Sequence, residues 1–124
     1  MRFFAALLVL PVLAAAAAAA QENGERLFAP CRACHSLDPA EQGLPGPRLS
    51  GLIGRRIGGD PAFDYSPVLR KARDEGLRWE APRLDSFLAD PAAMFPGLWM
   101  SMRGIDDVAE RQALVRFLEN PASH

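Results

Sequence analysis

An all-α domain, with its helices joined by long ordered loops, is the fold the sequence predicts, and three observations predict it. No run alternates apolar and polar side chains over the length of a strand. Apolar residues recur at three- and four-residue steps around residues 24–33 and again near the carboxyl end. Between them, residues 43–61 read GLPGPRLSGLIGRRIGGDP, with six glycines and three prolines, a composition that forbids long regular structure and marks a loop with several turns.

Taken in order, residues 1–20 read as a leader rather than as part of the domain. A single positive charge at Arg2 is followed by an apolar run from Phe3 to Leu13 and an alanine string ending in AAAQ. That is the pattern of a secretory signal, cut between Ala20 and Gln21. The competing reading is an uncut membrane anchor, because Phe3 to Ala20 carries no charge and falls only slightly short of the roughly 20 residues a spanning helix needs. Residues 21–124 then form one domain. A first helix is expected from about Gly24 to Ala33, where Leu27, Phe28, Cys31 and Cys34 share a face. A second starts with Ser66 as cap and Pro67 in its first turn and ends at Gly76. A third lies within Pro82–Ala89, where Leu84, Phe87 and Leu88 fall together, and stops before Asp90-Pro91. The last runs from about Asp107 to Leu118, with Asp107 and Glu110 as a capping pair and Leu114, Val115, Phe117 and Leu118 as a broad apolar face.

Without the leader the chain keeps 13 basic against 15 acidic residues, a net charge near minus two. That balance argues against nucleic acid or an anionic membrane surface as the main partner. Lys71 is the only lysine, so positive charge resides almost wholly on arginine.

The only two cysteines and one of two histidines crowd into CRACH, residues 31–35. A disulfide across two intervening residues would remove little entropy from the unfolded chain, so the pair is a poor staple. A zinc site would want four ligands, and the other histidine is His124 at the end of the chain. A thioredoxin-like dithiol would want a strand ahead of it and a βαβ setting. Cys-x-x-Cys-His is the signature of covalent haem attachment, and one helical turn suffices to bring Cys31, Cys34 and His35 to one side. A haem iron held by one histidine leaves a sixth position, for which Met94, Met100 and Met102 are available. Met100 stands out because FPGLWMSM is irregular and has a Pro-Gly turn four residues upstream, able to carry a thioether across a haem face.

From GERLF through CRACH, GPRLSGLIGR, YSP, LRW and FLADP to FPGLWM, RGI and the final helix, the chain resembles the class I c-type cytochromes, and more narrowly the mitochondrial and α-proteobacterial c2 type. The resemblance implies four to five short helices and ordered loops around one covalently bound haem c. It implies Cys31 and Cys34 as thioether anchors, with His35 and Met100 as axial ligands. Pro47 would accept the imidazole proton through its carbonyl, and Arg55, Tyr65 and Trp79 would stand near the propionates. Gly24 and Phe28 would meet the last helix around Leu114 and Leu118.

The chain also departs from that pattern. Phe87 lacks a hydroxyl the family commonly has near the methionine sulfur, Leu98 replaces a threonine, Arg48 stands where asparagine is common, and Trp99 stands where lysine is usual. With the family's lysine ring missing, docking is expected to use Leu98, Trp99 and Phe95 as an apolar patch rimmed by arginines. The implied function is a periplasmic electron carrier, not an enzyme, acting as a monomer with redox protein partners. Contact with membranes would come only through docking to membrane complexes or an uncleaved leader. Two other readings are a dedicated haem subunit of a periplasmic dehydrogenase or oxidase and, further off, a peroxidase or ligand-binding haem protein.

Overall fold

The computed structural model describes residues 4–121, with side chains from residue 10 onward. Arg2, Phe3 and His124 lie outside the described residues. Helix α1 spans Phe4–Phe28 and passes into a 3₁₀ turn, Ala29–Ala33; α2 is Pro67–Asp74, α3 Ala81–Ala89, α4 Pro91–Met94 and α5 Val108–Glu119. No strand occurs among the described residues. The nearest approach is an isolated bridge between Arg56 and Arg78, where Trp79 N–H donates to the Arg55 carbonyl (2.9 Å) and Ile57 N–H to that of Leu77 (2.8 Å).

The first helix differs from expectation at both ends. It begins far upstream of Gly24, because the alanine string is the best helix former available and nothing in Ala20–Glu22 stops it. It stops being an α-helix at Phe28 rather than Ala33, because Pro30 has no N–H to give to the Arg26 carbonyl. Among the described residues no helix is long and apolar enough to cross a membrane.

Helix α2 starts after Ser66 with Pro67 in its first turn, and Gly76 follows it at φ +77°. In α3 the buried residues are Leu84, Phe87 and Leu88, one face of a short helix. The extra helix α4 has its signal in Asp90-Pro91: the Asp90 carboxylate accepts from Ala93 N–H (3.2 Å) and proline occupies the first helical position. Asp107 does the same for α5, accepting from Glu110 N–H at 3.0 Å. Helix α5 buries Leu114, Val115, Phe117 and Leu118 against α1 and α3. The Arg111 guanidinium fastens it further, reaching Asp85 of α3 (3.2 Å) and the Ile105 carbonyl (2.8 Å).

The crossing of α1 and α5 is closest at Gly24. A Cβ there would lie 2.6 Å from the Phe117 Cβ, and the Phe28 and Phe117 rings pack 5.6 Å apart. Phe117, rather than Leu114 or Leu118, is thus what Gly24 meets. Gly24→Ala gains at most about 1 kcal/mol of helix propensity. It overpacks a buried ring at a cost of about 1–3 kcal/mol. We expect a net loss of roughly 1 kcal/mol, read as a lower urea midpoint with an unchanged slope.

Phe95 corrects the expected docking patch. It is only 7% exposed and packs among Trp79 and Phe87, with ring centroids 6.3 and 6.0 Å away. Trp99, 61% exposed, remains the prominent surface aromatic of that segment, with Leu98 half-buried beside it.

Candidate functional site

The turn that carries CRACH is closed by one carbonyl. Cys31 C=O accepts from both Cys34 N–H (3.1 Å) and His35 N–H (2.9 Å), which winds the three chemically active side chains round a single turn. The two cysteines do not pair in a disulfide. Burial pushes the Cys31 thiol up, with the neighbouring Cys34 adding to the effect against its own backbone hydrogen bond. A redox dithiol needs its thiolate favoured instead, so this environment does not suit one. Among the described residues no three His, Cys, Asp or Glu side chains are grouped so as to hold a metal ion.

The imidazole of His35 is fixed from outside. Its Nδ1 lies 2.7 Å from the Pro47 carbonyl oxygen, so Nδ1–H donates there and Nε2 is left to act as a ligand. Gly46 N–H donates to the Cys34 carbonyl (2.8 Å) and Leu49 N–H to that of Ser36 (2.8 Å), tying the 46–49 backbone to the CRACH turn. A Cβ on Gly46 would sit 2.5 Å from the imidazole Cε1, so only glycine lets the loop come this close. The His35 pKa is lowered, chiefly because burial disfavours the cation; the Pro47 carbonyl opposes this and the Arg55 charge reinforces it. A neutral ring is the form that binds a metal.

All eight residues singled out in the sequence, Cys31, Cys34, His35, Pro47, Arg55, Tyr65, Trp79 and Met100, line one cavity of about 340 Å³. Of the three candidate methionines only Met100 is on its wall, whereas Met94 and Met102 pack against the core elsewhere. Gly97, at φ +91°, turns the chain after Pro96, and Leu98 N–H closes the turn on the Phe95 carbonyl (3.0 Å). Much of the remaining wall is the hydrophobic core itself: Phe28, Leu52, Leu84, Phe87, Leu88 and Leu114 face both the cavity and one another.

At the polar end the cavity carries two orphans. Arg55 Nε and Ser66 Oγ are buried without a hydrogen-bond partner, although the Arg55 Nη2 reaches the Arg48 carbonyl at 2.7 Å. Buried donors left unpaired cost about 1–3 kcal/mol each. A carboxylate of a cavity-filling group would satisfy both, so the residues present fit a haem with its propionates at this end. Ser66 was legible in the sequence only as a helix cap; its hydroxyl makes no capping bond, and its exposure to the cavity had no sequence signal. Tyr65 is buried here with its Oη accepting from Asp60 N–H (3.1 Å), which leaves its own proton to give. Burial raises its pKa, so the phenol stays protonated. Trp79 stacks edge-on against Phe87 at 4.9 Å.

Beside this end Arg48 forms a two-pronged ion pair with buried Asp60, Nε to Oδ2 at 3.0 Å and Nη2 to Oδ1 at 2.8 Å. The Arg48 hydrogen bond holds the Asp60 carboxyl below its ordinary range, assisted by the Ala62 N–H, with burial opposing. A carboxyl depressed by folding stabilises the native state above the unfolded-state value of about 4 and ceases to as pH falls through the lower native value. The stability advantage of the parent over Asp60→Asn is therefore expected to be full at neutral pH and to shrink steadily below pH about 4. Urea titrations at several acid pH values check this.

A helical shell whose core opens on an apolar cavity, with a Cys-x-x-Cys-His turn and a tethered imidazole on the wall, defines a domain built to enclose a covalently attached haem. Comparison with known proteins narrows this class. Cytochrome c2 of Agrobacterium tumefaciens (strain II Chrys) is 40% identical over 101 residues, covering 82% of this chain and 91% of the relative. Cytochrome c2 iso-2 of Magnetospirillum fulvum is 36% identical over 93 residues, covering 75% and 93%. Cytochrome cH from Methylobacterium extorquens superposes with a TM-score of 0.69 at 35% identity, covering 80% of this chain and 96% of that one. No family model matches the chain. The chain belongs to the class I c-type cytochromes of the cytochrome c2 family, electron carriers with one covalently bound c-type haem.

Proposed function

We propose that this chain is a freely diffusing periplasmic electron carrier whose haem is anchored by Cys31 and Cys34 and ligated by His35 and Met100. The observation that carries this reading is the convergence of both cysteines, the Pro47-tethered imidazole and a single methionine on the wall of one cavity. When bound, the haem supplies one-electron exchange between ferrous and ferric iron.

The residues do the rest. Pro47 fixes the tautomer and direction of His35 and strengthens it as a donor. Met100 offers a soft sulfur, which favours the reduced state. The apolar wall of Phe28, Leu52, Phe87 and Leu114 excludes water. Arg55, Tyr65, Ser66 and Trp79 would hold the propionates, Arg55 and Ser66 through donors that otherwise have no partner. Holding the same ligands in both oxidation states keeps rearrangement small at each transfer.

The leader, residues 1–20, is removed after Ala20, leaving 21–124 in the periplasm; the AAAQ boundary supports this. Partner redox proteins dock where Leu98 and exposed Trp99 border the cavity. Absorption spectra of both oxidation states test the ligation. A low-spin ferric form with a sulfur-to-iron charge-transfer band, and a ferrous form that excludes carbon monoxide, are expected. A high-spin ferric spectrum with rapid carbon monoxide binding would instead indicate a ligand-binding or peroxidase role.

A further inference from the structure

We propose that the Arg48–Asp60 ion pair is a positioning clamp for the proximal ligand, holding the Pro47–Arg48 peptide against His35 and thereby setting the strength of the imidazole hydrogen bond. It rests on the reading of His35 as iron ligand and adds residues outside the set that touches the cofactor.

The argument begins with the peptide itself. The carbonyl that receives the His35 proton belongs to the peptide unit whose nitrogen is Arg48. Whatever orients Arg48 orients that carbonyl. Arg48 is held at every polar group it has to offer beyond that nitrogen. Its carbonyl accepts from Arg55 Nη2 (2.7 Å), its Nε and Nη2 fork onto the Asp60 carboxylate, and its Nη1 donates to the Pro39 carbonyl. Asp60 is an anchored partner: its carboxylate also accepts from Ala62 N–H (2.9 Å), and its own N–H donates to Tyr65 Oη.

The backbone bonds from Gly46 and Leu49 secure the loop at either side of Pro47, and the Arg48 side chain ties it to a different segment. Pro47 and Arg48 also border a hollow of about 60 Å³, together with Gln42, Leu44, Asp60 and Phe63. Arg48 and Asp60 both border this hollow, and their ion pair joins the loop to the segment that carries Tyr65. A bidentate guanidinium–carboxylate fork fixes angle as well as distance, which a lysine could not do.

The test uses haem-loaded protein and compares the parent with Arg48→Lys and with the charge-neutral double variant Arg48→Asn/Asp60→Asn. The readouts are exchange of the His35 Nδ1 proton with solvent, followed by NMR, and the reduction potential. A clamp predicts that both variants exchange this proton about tenfold faster, the scale of one weakened hydrogen bond. Both potentials should also rise, because a looser hydrogen bond makes the imidazole a poorer donor to ferric iron. Arg48→Lys, which keeps the charge, should side with the double variant. If Arg48→Lys matches the parent in both readouts while only the double variant differs, the pair acts through its field and the clamp is wrong. If both variants lose stability but keep parental exchange and potential, the pair is merely structural and the clamp is equally overturned. Absence of His35 ring protons among the hyperfine-shifted resonances of the ferric parent would instead remove the ligand reading beneath it.

Discussion

Prepared without haem, the chain is expected to lose most of its helical circular dichroism at 25 °C. The cavity of about 340 Å³ is surrounded by the side chains that would otherwise have to be the core. Leaving a cavity in a packed interior costs about 24 cal/mol per Å³, which for this volume comes to about 8 kcal/mol. A domain of this size has a total stability of about 5–15 kcal/mol, so the penalty consumes most or all of it. Collapse is a poor escape, because Gly24 against Phe117 and Gly46 against His35 already leave no slack where the cavity-lining segments meet the rest. The double variant Cys31→Ser/Cys34→Ser, expressed without added haem, provides the sample. A haem-free form with parental helicity and a cooperative melt would show that the cofactor is an addition to the fold rather than its centre.

Met100→Ala should produce the largest change at the iron. The ferric spectrum is expected to turn from low-spin to high-spin, the charge-transfer band to vanish and ferrous protein to take up carbon monoxide. Truncating this side chain should also remove about 2 kcal/mol or more of stability. Met94→Ala and Met102→Ala serve as controls, since neither side chain reaches the cavity wall. They should cost comparable stability while leaving the spectrum unchanged. A spectral change in either control, with Met100→Ala silent, would transfer the ligand assignment.

The sequence made the chemistry more legible than the architecture that serves it. Cys31, Cys34 and His35 could be read together because three residues of two types rare in this chain fall within one turn, and because few chemistries need that spacing. Met100 was distinguishable from Met94 and Met102 through its Pro-Gly turn, a local feature with a local geometric consequence. Helices α3 and α5 were evident because burial there is periodic. The breakdown of α1 at Pro30 and the presence of α4 were also encoded, in Pro30 and Asp90-Pro91, but as stop and start signals in segments where the apolar pattern was a stronger guide.

Other features were not legible because they depend on contacts distant in sequence. Arg48 read as a departure from a family pattern, and nothing near it announced that Asp60, twelve residues on, would receive it. Ser66 looked like a cap because caps are local, whereas its place on the cavity wall arises from the course of the whole 43–66 loop. Phe95 was read as surface by association with Trp99; its burial follows from Trp79 and Phe87, which arrive from other elements.

The central claim is that one haem is covalently fixed to this chain through Cys31 and Cys34, and intact-mass spectrometry of the denatured, exported protein tests it most directly. The account predicts a polypeptide heavier by one haem, with cleavage after glutamate placing the added mass on the peptide of residues 26–41, which contains both cysteines. A mass equal to that of the bare polypeptide, or haem that leaves on acid denaturation, would contradict it.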